Sequence, residues 1–309
     1  MKNHKTATPK SRREFISNAG VLAGAAALTS LPGANFATGI KKSKPAGLTA
    51  KQVFEILISE TPNAPFARTV DQLRSGSADQ EVTGIVTTMF PTIEVINKTI
   101  KAGANMIIAH ETPYYNNDDA TDWLKDDPAF NYKMDLLNKN KIAIWRMHDH
   151  WHSKQPVDGI HMGNLIELGW EKYDLSIPRM VTLPKPIALR DIVTLVKKKL
   201  EIPQVRLVGD LNQPCQRIYM AFGYMDSKAQ IAAINKYKPD LILSGETREW
   251  ENVERVRDGL AMGEKTTLMV LSHAVSEEAG MKYAAAWLQP KVGNIKVTHI
   301  PTRTPFQYV

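Results

Sequence analysis

Cysteine occurs once in the 309 residues, as Cys215, so no intrachain disulfide can form. Stability has to come from a packed core. The one cysteine follows Pro214 and reads as structural. Long hydrophobic runs are missing too. The best stretch, Gly20–Leu31, is short and built largely from alanine and glycine, which excludes it as a spanning helix. A positive excess is missing where a nucleic-acid footprint would need it. The formal net charge is +7, but residues 1–46 hold eight of the 39 Lys/Arg and one of the 32 Asp/Glu. That leaves 31 of each in 47–309, so no nucleic-acid partner is expected. There is no short-period repeat. What remains, 43% hydrophobic and 23% charged, is the composition of an ordinary globular protein, long enough for one large or two medium domains.

The basic excess belongs to a leader. Ser11-Arg12-Arg13-Glu14-Phe15-Ile16 precedes the mild apolar run and resembles a twin-arginine export signal. Residues 1–46 are accordingly assigned as signal peptide and linker, with the mature start between 34 and 46. The expectation is export to the periplasm or another extracytoplasmic space, without stable membrane insertion. Residues 47–309 are the folded part.

That part alternates between two periodicities. Helical spacing runs through 50–59, 91–102, 128–138, 160–168, 188–200, 227–235, 249–260 and 275–288. Short β-branched or apolar runs at 82–89, 105–110, 142–147, 180–183, 205–208, 217–222, 241–244, 267–271 and 295–300 read as strands. Such alternation predicts an α/β fold with a mostly parallel sheet and helices on both faces. Two similar α/β halves, split near residue 180, suit the length.

The polar residues mark the joints. Three histidines fall within five residues in Met147-His148-Asp149-His150-Trp151-His152, and neutral imidazole is the commonest metal ligand. His110, His148, Glu246 and His273 each follow the last apolar residue of a predicted strand directly or within two residues, where open α/β sheets place their ligands. His273 and Glu277 stand four apart, on one face of a helix start. Imidazole with carboxylate suits Zn, Mn or Fe. Tyr114, Tyr115, Trp151 and Trp250 lie beside these segments and could line a pocket for a flat substrate.

At this point the chain resembles the Nif-three-like dinuclear metal-centre proteins, often labelled GTP cyclohydrolase 1 type 2. The likeness runs through most of 48–309. It is carried by Gly103-Ala104-x-x-Ile107-Ile108-x-His110, by 141–152, by Leu183-Pro184-x-Pro186 with Val205-Arg206-Leu207-Val208-Gly209-Asp210, by Leu243-Ser244-Gly245-Glu246, and by His273-x-x-x-Glu277-x-x-Gly280. The resemblance implies two α/β halves as three-layer αβα sandwiches, with a metal site in the cleft between them. It also implies a homo-oligomer, commonly a hexamer. Its ligand pattern is a His-His-Pro turn, a His-x-x-x-Asp segment and a His-x-x-x-Glu segment. Carried over, this gives His110 with Glu111 in place of the second histidine, His148 with His152 in place of the aspartate, and His273 with Glu277. One imidazole and one carboxylate trade places, and the total of four histidines and two carboxylates is kept.

The reading that follows is a metal-dependent hydrolase with two divalent ions, Glu246 as general base or water-orienting group, and a small-molecule substrate of unknown identity. A non-catalytic metal-binding oligomer is the alternative. A third reading, an amidohydrolase-like binuclear enzyme suggested by His148-x-His150, would require a barrel. Asp149 and His150 have no counterpart in the family pattern.

Overall fold

The computed structural model describes residues 47–307 and residue 309. The proposed export signal lies outside the described residues. Among the described residues, no helix is long and apolar enough to cross a membrane.

The chain begins with helix α1 (Ala50–Ile58), set by a capping box. The Thr49 hydroxyl accepts the Gln52 amide, and the Gln52 side chain accepts the Thr49 amide in return. Strands β1 (Leu73–Ser75) and β2 (Ile85–Thr88) follow, then α2 (Ile93–Lys101), β3 (Met106–Ala109), α3 (Pro128–Lys139), β4 (Ala143–Arg146), the one-turn α4 (Asp149–His152) and α5 (Gly159–Leu168). Asp127 caps α3 with Pro128 in the first turn, Asp158 caps α5, and Gly169 ends α5 in the left-handed conformation. The second run comprises β5 (Met180–Ala188), α6 (Leu189–Lys199), β6 (Arg206–Val208), β7 (Pro214–Ala221), α7 (Ser227–Tyr237), β8 (Leu241–Ser244), α8 (Glu254–Ala261), β9 (Thr267–Val270), α9 (His273–Leu288) and β10 (Val297–His299).

Two five-stranded sheets result, ordered β1-β4-β3-β2-β10 and β5-β7-β8-β9-β6. Parallel pairing joins β4, β3, β2 and β10 in the first, and β7, β8 and β9 in the second. The strands β1, β5 and β6 run antiparallel at the edges. The four strands β2, β3, β8 and β9 are buried along their whole length, as strands covered on both faces must be.

Helices cover both faces of both sheets, as the alternation predicts. On the outer face of the first, Val86, Ile107 and Ile144 pack with Val95, Ile96 and Leu137 of α2 and α3. On the outer face of the second, Tyr219, Ile242 and Leu268 pack with Ala233, Ile234 and Val256 of α7 and α8. The inner faces share one core. Ile85 and Ile108 of one sheet and Met220, Leu243 and Met269 of the other belong to a single cluster with α1, α5, α6 and α9. Two glycines let the inner helices approach: a Cβ on Gly163 would strike the Ala279 carbonyl, and one on Gly280 would strike the Ile160 backbone.

The halves are not consecutive in sequence. The second sheet begins at Met180, near the expected boundary, but β10 returns to pair with β2 of the first sheet. Two open sheets leave no barrel, so the amidohydrolase-like reading is dropped. The expected strand at 180–183 continues to Ala188, and the helix expected over 249–260 begins as a π-turn, Glu249–Val253. The three-residue β1 escapes a periodicity reading because it offers no alternation to count.

Candidate metal centre

Three joints deliver the candidate ligands to one place. His110 and Glu111 follow β3 directly. His148 follows β4 by two residues and precedes α4, so His152 lies one helical turn on. His273 opens α9, with Glu277 one turn along it. The first four come from the end of one sheet and the last two from the end of the other.

α4 is held by an acid that pattern reading does not single out. The carboxylate of Asp71, itself buried, accepts the backbone amides of His148, Asp149 and His150 at 2.6, 3.0 and 2.8 Å. These are amides a helix start leaves unpaired. His150 points away from the centre. Its Nδ1 donates to Asp71 at 2.6 Å, its Nε2 accepts the Phe66 amide at 3.1 Å, and its ring stacks on Phe66 at 4.1 Å. It is a structural histidine.

The Nε2 atoms of the other four converge on two carboxylates. His110 and His273 lie 3.5 and 3.1 Å from Glu277 Oε2, and His152 lies 3.8 Å from Glu277 Oε1. His148 and His273 lie 3.7 and 3.3 Å from Glu111 Oε1. The rings of His110, His148 and His152 pack with centroids 4.6 to 5.0 Å apart. Two sets bring their ligand atoms within 4.8 Å of one another: His110, His148 and His152, and His110, Glu111 and Glu277.

Each imidazole is oriented from behind. Nδ1 of His110 donates to the Met147 carbonyl at 3.1 Å, that of His148 to Asp149 at 2.9 Å, that of His152 to Asp158 at 2.8 Å and that of His273 to Glu246 at 3.0 Å. Carbonyls and carboxylates only accept, so each Nδ1 carries a proton and each Nε2 is turned to the centre. Glu111 is oriented likewise, its Oε2 accepting from Arg146 at 2.9 Å. Arg146, fully buried, also reaches Asp119 at 3.0 Å, and Arg74 joins Asp119 at 2.8 Å. Asp149 is in turn fixed by Thr69 and the Val70 amide.

This set fits a divalent cation. His110 Nε2 and Glu277 Oε2 are buried without a hydrogen-bond partner. Buried polar atoms are ordinarily satisfied, and a cation satisfies both at once. Protons serve the set unevenly. Burial and the neighbouring histidines push the pKa of His110 well below its usual value. Burial opposes a charge on His273, yet Glu111, Glu246 and Glu277 push it up to about 12. Burial likewise opposes a charge on Glu111, but His273, His148 and Arg146 bring it down to about 2. The two oxygens of Glu277 address different histidines, Oε2 facing His110 and His273 and Oε1 facing His152.

The centre opens into a cavity of about 1880 Å³. Of the four aromatic residues expected there, only Tyr115 lines it. Tyr114 is buried, its hydroxyl donating to the Arg74 carbonyl. Trp151 is core, with Nε1 on the Gly280 carbonyl at 3.3 Å, and Trp250 is exposed outside the cavity. The aromatic wall is instead Phe66, Phe90, Phe222, Tyr224 and Phe306, residues far from the ligands in sequence. Asp71, Arg146 and Asp158 were likewise missed. Only Asp158 leaves a sequence signal, as the cap preceding a helical run.

Comparison with known proteins places the chain in a family. The chain is similar to a GTP cyclohydrolase 1 type 2 homolog of Clostridium perfringens, 25% identical over 183 residues that cover 57% of this chain and 68% of the relative. It is similar to another from Clostridium acetobutylicum, 23% identical over 188 residues that cover 57% and 67%. Among solved structures, a Bacillus cereus protein related to NIF3 superposes with TM-score 0.69 at 15% identity, covering 85% of this chain and 99% of that one. A hypothetical protein of Staphylococcus aureus gives 0.68 at 20% identity, covering 85% and 100%. At these identities the structures establish the fold. A family model described as Duf34/NIF3 (NGG1p interacting factor 3) matches residues 59–305, and the chain belongs to that family.

Proposed function

We propose that the protein is a metal-dependent hydrolase with two divalent ions, held by His110, Glu111, His148, His152, His273 and Glu277. The observation that carries this reading is that all four Nε2 atoms are turned, by acceptors behind each ring, toward two buried carboxylates in the wall of a large cavity. Four imidazoles and two carboxylates suit Zn, Mn or Fe. Bound there, the ions would supply Lewis-acid polarisation of the scissile group and a water of lowered pKa.

The chain's own part is positioning and proton transfer. Glu246 lines the cavity and holds His273 through Oε1, and its second oxygen has no hydrogen bond among the described residues. That second oxygen is the proposed proton acceptor. The bond to His273 lowers its basicity, so orientation of His273 is the larger part of the role. The cavity, rather than a closed metal cage, favours turnover over a purely metal-storing role.

Metal analysis of the purified protein tests the proposal, with His148→Ala and His152→Ala beside it. About two ions per chain in the wild type and a loss in both variants are expected. Fewer than about one ion per chain would sink the dinuclear reading, given the tight binding of preformed sites. Glu246→Gln tests the enzyme reading: metal retained with loss of turnover on a phosphoester and amide panel supports it. No turnover by the wild type on any panel member would favour a non-catalytic metal-binding protein.

A further inference from the structure

The cavity wall uses its acids and its bases unequally. Asp149 is engaged by Thr69, Val70 and His148. Asp226 caps α7 through the Lys228 amide, Glu246 holds His273, and Glu94 pairs with Lys98 at 2.6 Å. Among the bases, Arg206 pairs with Glu249 at 2.8 Å. Lys133 donates to the Pro113 carbonyl at 2.9 Å and lies under the Tyr115 ring.

Arg179 differs. Its nearest carboxylate among the described residues is Asp158, 4.0 Å from Nη2. The oxygens of Asp158 already accept from His152, Ile160 and His161. Nη1 lies 3.2 Å from Nε2 of His161. Burial holds that ring uncharged, its pKa pushed down to about 4, so it accepts a hydrogen bond from the guanidinium and fixes the group's direction. The Arg179 side chain lines the cavity and is 35% exposed.

The backbone is unusual as well. The Met180 amide donates to the Ile177 carbonyl at 3.0 Å, closing a turn around Pro178 and Arg179. Arg179 takes φ +63°. A proline followed by positive φ is the pattern of a type II turn, whose third position favours glycine or asparagine. An arginine there is kept against local preference, and residues held in that way cluster at functional sites.

We propose that Arg179 is an oxyanion-recognition residue. It binds the phosphate or carboxylate group of the small molecule that enters the cavity, and holds that group beside the His152 side of the centre. A planar fork with free N–H groups suits either oxyanion bidentately. Phe222, edge-on to His161 at 5.6 Å and also in the wall, offers the apolar flank. What the bound molecule meets next rests on the proposed metal centre; the anion binding itself does not.

The test is calorimetric titration of the full chain with inorganic phosphate and, separately, with benzoate, with metal content measured on the same preparations. Arg179→Gln removes the charge. Arg179→Gly also removes it, but suits the positive φ of the turn and so keeps the fold. Both variants are expected to bind the recognised anion at least tenfold more weakly, with wild-type metal content. Arg179→Gly should be at least as heat-stable as the wild type. Binding of phosphate alone identifies a phosphoryl group, and of benzoate alone a carboxylate. Unweakened binding in both variants, or no binding of either anion by the wild type at millimolar concentration, overturns the inference. So does a fall in metal content that accounts for the lost anion, because the anion would then sit on the ions alone. Arg179-dependent binding by a wild type devoid of metal would leave this inference standing and remove the metal centre.

Discussion

Glu111 and Arg146 meet at 2.9 Å, with Arg146 fully buried. A carboxylate at 111 is therefore matched to a cation behind it, and the exchange of a histidine for an acid at this position has a partner in the fold. Glu111→His would set an imidazole against that guanidinium. Removing one partner of a buried pair leaves an uncompensated charge, and a loss of about 3 kcal/mol in urea unfolding is expected. A loss below about 1 kcal/mol would show that Asp119 alone suffices for Arg146.

Asp158 joins two tasks: one oxygen accepts His152 Nδ1–H, the other caps α5. Asp158→Asn keeps the capping oxygen but turns an amide group toward His152. Metal affinity, read by competition with a chelator, should fall about 10- to 100-fold, while helix content stays unchanged. Unaltered affinity would show that His152 needs no support from behind, or ligates no metal.

His148 and His150 are two residues apart and should respond oppositely. His148→Ala should lose metal. His150→Ala should keep it and unfold more easily by about 2 kcal/mol, because the buried Asp71 and the Phe66 amide lose a partner. Metal loss in His150→Ala, with the fold intact by circular dichroism, would reverse the assignment.

Glu60 lies between Lys154 and Lys291, 2.8 and 3.0 Å away. Their hydrogen bonds lower its pKa from 4.5 to about 2. A carboxyl depressed in the folded state contributes stability above its ordinary value and loses it as pH falls toward the folded one. The Tm gap between wild type and Glu60→Gln should hold above pH 5 and close between about 4.5 and 2. The group is half exposed, so the gap should correspond to no more than about 1 kcal/mol. A gap independent of pH would assign the effect to packing.

The parts legible in the sequence were those governed by local order. Strand runs such as Leu241–Ser244 and capped helices such as α3 follow from periodicity and end signals. His110, His148 and His273 declare themselves by standing at strand ends. What supports them is set by tertiary approach and leaves no pattern. Asp71 lies 77 residues from the His148 amide it accepts, and nothing around it distinguishes it from a surface acid. The joint at 148–152 is a helical turn whose amides Asp71 satisfies. His150, which lies between two candidate ligands in sequence, is removed from the centre by that same turn. The cavity aromatics were misplaced for a similar reason: neighbours in sequence, such as Trp151, are drawn under α9 rather than outward.

The return of β10 to the first sheet has a consequence for the order of assembly. Until Val297–His299 pairs with Ile85–Thr87, β2 is an uncovered edge of apolar backbone, the kind that invites pairing between chains. His273 and Glu277 are likewise supplied only after most of the chain exists. Synthesis therefore passes through a long interval in which the first sheet is incomplete and two of the six candidate ligands are missing. Folding dominated by such distant contacts is slow, and the yield of soluble protein should depend more on chaperone supply than on how firmly the finished molecule holds together.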